Sequence, residues 1–150
     1  MNRHDIRFTG AWRSSLSPDA VYQTLADVRA YPTWWSAFRS VRQTGERECE
    51  VVIRSLLPYE LTARLTPVLE DPGVRILEAA MNGDVEGSVR WTVEPDRQDG
   101  SVARFTEHVT VRKAALRRWM PVARPFFHLN HTAAMRSGQH GLAARVDRTG

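Results

Sequence analysis

The stretch Lys113 to Val146, K-A-A-L-R-R-W-M-P-V-A-R-P-F-F-H-L-N-H-T-A-A-M-R-S-G-Q-H-G-L-A-A-R-V, decides how the rest of the chain is read, because the only long helical pattern lies in it. Placed on a helical wheel, Phe127, His131, Ala134, Met135, Gly138 and Leu142 share one stripe. Thr132, Arg136, Gln139 and His140 point away from it. Gly138 and Gly141 each cost about 1 kcal/mol against alanine in a helix interior, so close approach to a sheet, or room for a ligand, is expected beside them. Pro121 and Pro125 each remove an N–H and disfavour helix in the residue before. They predict a short first turn after Ala114, then a break or kink, with the main helix starting near Arg124.

Upstream, the sequence describes a surface for that helix to lie on. Ile6, Phe8 and Gly10 alternate with Arg7, Thr9 and Ala11 before Trp12, which predicts a first strand. Ser17-Pro18-Asp19 supplies an N-cap, a proline at the first helical position and an acid in the first turn. Val21, Tyr22, Leu25 and Val28 form the apolar face of that helix. A second short helix is expected to begin at Pro32, within the aromatic run Tyr31 to Phe38.

From Val41 to Arg112 the period changes to two, with turn chemistry at Thr44-Gly45, Asp71-Pro72-Gly73, Asn82-Gly83-Asp84 and Asp96 to Gly100. Cys49, Val51 and Ile53 alternate with Glu48, Glu50 and Arg54, and Leu61, Ala63 and Leu65 with Glu60, Thr62 and Arg64. Leu77, Ala79 and Met81 mark a further strand, joined through the hairpin signal Asn82-Gly83 to Val85, Gly87, Val89, Trp91 and Val93. The last strand puts Phe105, Glu107, Val109 and Val111 on one face. The expected architecture is α+β: one strand, two short helices, an antiparallel meander, and a C-terminal helix covering its concave, dry face.

Composition sets bounds. At 150 residues, 42% hydrophobic and 25% charged, the chain is expected to form a single domain over residues 1–150 with a real core. Its formal charge of +4 is spread over many arginines and is weak evidence for nucleic acid. Arg3, His4, Asp5 and Arg7 interrupt the first ten residues, so there is no signal-peptide core, and no apolar run reaches the roughly 20 residues of a membrane span. A cytoplasmic location follows as the expectation, and the single cysteine, Cys49, fits a reducing compartment as core filler.

Four pieces carry a family resemblance: S-P-D-A-V-Y-Q-T-L-A-D from Ser17, Y-P-T-W-W from Tyr31, G-D-V-E-G-S-V-R-W-T from Gly83, and R-P-F-F-H-L-N-H-T-A-A-M-R-S-G-Q-H-G-L from Arg124. Through them, over nearly its whole length, the chain resembles the START-like superfamily, also called the polyketide cyclase/dehydrase and lipid-transport (SRPBCC) group. The resemblance implies a helix-grip fold, in which a curved antiparallel sheet wraps the long C-terminal helix around an apolar cavity. Such cavities serve lipid carriers, hormone receptors, and cyclases or aromatases of polyketides, so shared fold is only an analogy for chemistry.

Alternation places the carboxylate of Glu107 among Phe105, Val109 and the apolar face beneath the tail, where it can act as acid, base or hydrogen-bonding partner of a ligand. The competing reading is a bulge that shifts the frame, or a salt bridge at the sheet rim. His131 faces the same space from the helix with Asn130 on its flank, and the pair Glu107 and His131 are the catalytic candidates; a satisfied core histidine is the commoner outcome. The expected ligand-contacting set is Trp35, Leu61, Trp91, Phe105, Glu107, Phe127, Asn130, His131 and Met135. His128 and His131 have metal-like spacing, but His140 lies half a turn away from His131, so neither a metal nor another cofactor is expected. Arg54, Arg64 and Arg90 belong by default to a solvated outer face.

The expected function is binding of a largely apolar small molecule, such as a lipid, a quinone or an aromatic, polyketide-like compound. The alternatives are a polyketide cyclase or aromatase using the same cavity, and a membrane lipid or quinone carrier. Arg112, Lys113, Arg117, Arg118 and Trp119 would give that carrier its transient membrane contact, although a charged helix start at the pocket rim is the favoured reading of this cluster.

Overall fold

The computed structural model describes residues 5–54, 60–112 and 120–149, and within the last stretch the side chains at 128, 129 and 131–144. Seven strands form: β1 (Asp5–Ser14), β2 (Phe38–Gln43), β3 (Cys49–Arg54), β4 (Glu60–Asp71), β5 (Ile76–Gly83), β6 (Val85–Pro95) and β7 (Ser101–Val111). All neighbours pair antiparallel in one open sheet of order β1-β7-β6-β5-β4-β3-β2. The register runs Phe8 to Glu107 to Val89 to Ala79, so these four side chains share the inner face.

Register shifts lie between Phe38 and Ser40 and between Pro67 and Leu69. An extra residue in one strand of a pair bends that strand and increases its twist, which suits a sheet that must curve around a helix. Gly87 has φ +155, and a Cβ there would overlap the His108 carbonyl. Its lack of a side chain lets β6 and β7 approach at that point.

Helix α1 (Pro18–Ala26) starts as its sequence dictates: the Ser17 hydroxyl accepts from Ala20 N at 3.2 Å, and Val21, Tyr22 and Leu25 are buried. The second helix is a 3-10 turn over Val28–Thr33, four residues earlier than expected, with Pro32 inside it. The reason lies in Tyr31. Its hydroxyl donates to the Leu25 carbonyl, and its own carbonyl accepts from the N–H groups of Trp34 and Trp35, so the last turn closes on the Tyr31 carbonyl and the helix ends at Thr33.

The C-terminal helix, α2, runs Met120–Thr149 without the expected later start at Arg124. Pro121 falls in the first turn, where its missing N–H has no intrahelical partner to lose. Pro125 forfeits one bond, which the 30-residue element tolerates. The expected turn after Ala114 lies largely outside the described residues. Along the described part, Gly138 and Leu142 are buried and His131, Ala134 and Met135 half-buried, while Thr132, Arg136, Gln139 and His140 are exposed.

The glycines of α2 serve close approach. A Cβ on Gly138 would overlap the Trp12 ring and lie 2.6 Å from Cε2 of Trp35; one on Gly141 would overlap the backbone carbonyl of Trp34. Trp35 completes the clamp by donating its indole N–H to the Ala134 carbonyl at 2.8 Å. The main core joins these tryptophans to Trp91, Phe105, Leu25 and Leu142, and a smaller one gathers Ile6, Met81, Val109 and Val111. Phe8 and Val89 pack against both. On the outer face, ion pairs such as Arg90 with Glu78 at 3.6 Å and Arg64 with Glu48 at 3.7 Å are solvated, as alternation predicts. No helix among the described residues is long and apolar enough to cross a membrane.

A candidate ligand cavity between sheet and helix

Between the inner face of the sheet and α2 lies a cavity of about 440 Å³, within the usual range for small-molecule sites. Its walls are mostly apolar: Val51, Ile53, Leu61 and Leu65 come from β3 and β4, Leu77, Ala79, Met81, Val89 and Trp91 from β5 and β6, and Ala134 and Met135 from α2. Charged residues concentrate where the 3-10 turn meets the β2–β3 hairpin and β4. There Asp27, Arg29, Glu46 and the ion pair of Arg47 with Glu70, at 2.8 Å, border the space. Arg54, assigned from sequence to the outer face, also borders it.

Glu107 and His131 are the polar pair on the inner wall. Alternation on β7 turns Glu107 inward and helical phase turns His131 toward it, so that His131 Nε2 and Glu107 Oε1 lie 2.7 Å apart, with side chains only 17% and 19% exposed. The separation is that of a hydrogen bond, in which the tautomer of the imidazole sets which group donates. Two aromatic rings frame the imidazole. Phe8 stacks on it with ring centroids 3.6 Å apart and planes within 5°, and Phe105 approaches at 5.9 Å.

Of the residues expected from sequence to contact a ligand, the structure brings Trp35, Leu61, Trp91, Glu107, His131 and Met135 to the cavity wall. Phe105 stands behind that wall. Its ring occupies the space left by Gly10 and packs against Trp91 at 5.2 Å, so it supports the lining from the core. Phe127 and Asn130 have side chains outside the described residues. Phe8, Val89 and Ala79 line the cavity without having been singled out. The alternation of Ile6, Phe8 and Gly10 already put Phe8 on the inner face, but its meeting with His131 depends on the β1–β7 register, which no local pattern encodes.

Cys49 is buried at the cavity wall, and burial pushes its thiol up, opposed by the nearby Arg29 charge. Neutral and desolvated, it behaves as a small apolar group. His128 and His140 are exposed while His131 faces inward, and no group of three or more His, Cys, Asp or Glu residues converges among the described residues. Arg112 pairs with Glu86 at 3.1 Å; Lys113, Arg117, Arg118 and Trp119, the rest of the suggested membrane-contact cluster, lie outside the described residues.

The comparisons with known proteins agree with this geometry. The model of the polyketide cyclase/dehydrase and lipid transport family matches residues 5–147. No curated protein matches the chain in sequence. Among solved structures, the Zhui aromatase/cyclase from a Streptomyces species superposes with a TM-score of 0.78 at 15% identity, over 97% of this chain and 95% of that one. A START superfamily protein from Mycobacterium smegmatis gives 0.71 at 15% identity, over 98% and 99%. The di-domain ARO/CYC protein BexL gives 0.71 at 14% identity, over 94% of this chain and 50% of that one. Identities this low speak for the fold alone, here a helix-grip architecture. With the family match running from β1 to the last turns of α2, the chain belongs to the polyketide cyclase/dehydrase and lipid transport family, a START-like group.

Proposed function

We propose that this protein binds a largely apolar small molecule, a lipid, quinone or aromatic compound, in the cavity between the sheet and α2. The observation that carries the reading is the cavity itself. About 440 Å³ bounded chiefly by aliphatic and aromatic side chains rewards transfer of an apolar body from water. Its inner polar contact, Glu107 with His131, is already mutually satisfied, so an apolar ligand leaves neither group without a partner. Native mass spectrometry of the purified protein, looking for a retained small molecule and then for uptake of added fatty acids, quinones and aromatic polyketides, tests it. Stoichiometric uptake of at least one class is expected; failure of every class in folded, ligand-free protein overturns it.

A second reading, a polyketide cyclase or aromatase, is favoured by one observation: a carboxylate and an imidazole in hydrogen-bond contact on the cavity wall can relay a proton in an enolisation or dehydration. Substrate conversion that collapses in Glu107→Gln while ligand affinity is retained would establish it over simple binding. Binding without conversion is the expected result.

A further inference from the structure

We propose that Phe8 is a positioning and specificity-determining residue of this cavity, holding the His131–Glu107 pair closed so that the adjoining wall accepts apolar ligands. The inference rests on the binding reading above. Phe8 and Glu107 are directly opposed in the β1–β7 register, so one position along the sheet supplies both the hydrogen-bonding and the stacking partner of His131. Glu107 bonds the imidazole in its plane at Nε2, and Phe8 covers its face. One contact fixes where the ring edge points, and the other stops the ring turning about its bond to the helix.

The stack has an informative geometry. A centroid distance of 3.6 Å with planes 5° apart leaves little room for lateral offset, and two neutral aromatic rings disfavour such a face-to-face arrangement. A ring carrying positive charge favours it, through attraction to the π face. The stack is therefore strongest when the imidazole carries a proton on both nitrogens beside the Glu107 carboxylate, and in that state Phe8 and the carboxylate reinforce one another. The His128 ring also packs on Phe8, with centroids 5.2 Å apart and planes at 63°, which helps hold the phenyl ring in place.

This arrangement has a consequence for selectivity. While the pair is closed, its polar atoms are engaged with each other, and an apolar ligand beside them strands nothing. If the imidazole swings free, Glu107 and His131 both need new partners, and a ligand offering a hydroxyl gains over one that does not. Phe8 thus tilts the cavity toward apolar ligands without donating or accepting any hydrogen bond.

The test uses two probes of nearly the same shape, 2-methylnaphthalene and 2-naphthol, titrated calorimetrically into the whole protein and its Phe8→Leu and Phe8→Tyr variants, with ¹⁵N ring resonances of His131 recorded for each. Phe8→Leu is expected to weaken 2-methylnaphthalene relative to 2-naphthol by roughly three- to tenfold, the worth of about one hydrogen bond, and to shift the His131 resonances. Phe8→Tyr, which keeps the ring, is expected to restore both. Equal weakening of the two probes, or His131 resonances unmoved in Phe8→Leu, overturns the proposal by reducing Phe8 to packing. If Phe8→Leu does not fold, Phe8→Met replaces it under the same criteria. If neither probe binds the wild-type protein, Phe8 sets no selectivity among such ligands and the proposal falls, while the binding reading is decided separately by uptake of fatty acids, quinones and aromatic polyketides; an unmoved His131 spectrum counts against Phe8 as a positioning residue in either case.

Discussion

His131 on α2 and Glu107 on β7, 24 residues apart in sequence, meet at 2.7 Å on the inner wall of the cavity, each side chain less than one-fifth exposed. Neither group can be removed without stranding the other. Glu107→Ala is expected to destabilise the fold by about 1–3 kcal/mol, because the imidazole loses its acceptor in a place water reaches poorly. Glu107→Gln retains an acceptor oxygen and should cost less. Urea denaturation of both variants checks the order, and equal losses would show that the hydrogen bond contributes little.

Gly138 and Gly141 offer a test in which local propensity and packing have opposite signs. Alanine favours a helix interior by about 1 kcal/mol over glycine. Here a Cβ would overlap Trp12 at the first position and the Trp34 backbone at the second. Overpacking of a fitted core costs about 1–3 kcal/mol, so both substitutions should destabilise, Gly141→Ala more, because a backbone carbonyl cannot turn aside as a side chain can. Denaturation midpoints decide the sign.

Trp35→Phe keeps an aromatic ring beside Gly138 but removes the indole N–H that bonds the Ala134 carbonyl at 2.8 Å. A loss of about 1 kcal/mol is expected. Amide exchange around Ala134 and Gly138 should quicken, since the clamp on that turn of α2 is released. Unchanged exchange in the variant would mean that ring packing alone holds the helix.

Tyr31 makes the fold sensitive to alkali. Burial, and secondarily the Asp27 charge, push its phenol well above the ordinary value of 10.0. The folded state therefore keeps a proton that the unfolded chain releases, so the stability Tyr31 contributes is complete below pH 10.0 and declines as pH rises from there toward the folded value. Denaturation midpoints from pH 8 to 11 should fall at the alkaline end, and less steeply in Tyr31→Phe.

Much of this architecture was legible because its signals are local. Period two along Val85 to Val93 and the Ser17-Pro18 cap each act within a few residues and appear where the sequence puts them, whereas Asn82 and Gly83, expected as the hairpin turn, end β5 paired with Arg64 and Ala63, and the bend falls at Asp84. Gly138 and Gly141 announced a close contact, but not that Trp12, Trp34 and Trp35 supply it. The second helix starts at Val28 rather than Pro32, where Tyr31 is held by a hydrogen bond to Leu25 that propensity does not encode. At the cavity, the inward turn of Glu107 and His131 followed from alternation and helical phase. The stacking of Phe8 on His131 and the retreat of Phe105 into the space over Gly10 did not, since both depend on which strand lies beside which, and in what register.

The most direct measurement asks whether the cavity is where ligand goes. Ala79 lines it from β5, so Ala79→Trp should fill it from the sheet side. Isothermal titration of fatty acids, quinones and aromatic polyketides into ligand-free protein, repeated with an Ala79→Trp variant shown to be folded, is expected to give saturable one-site binding of at least one class to the wild-type chain and its loss in the variant. Binding that survives unchanged in Ala79→Trp, or no saturable binding to the wild-type protein, would contradict a ligand cavity between the sheet and α2.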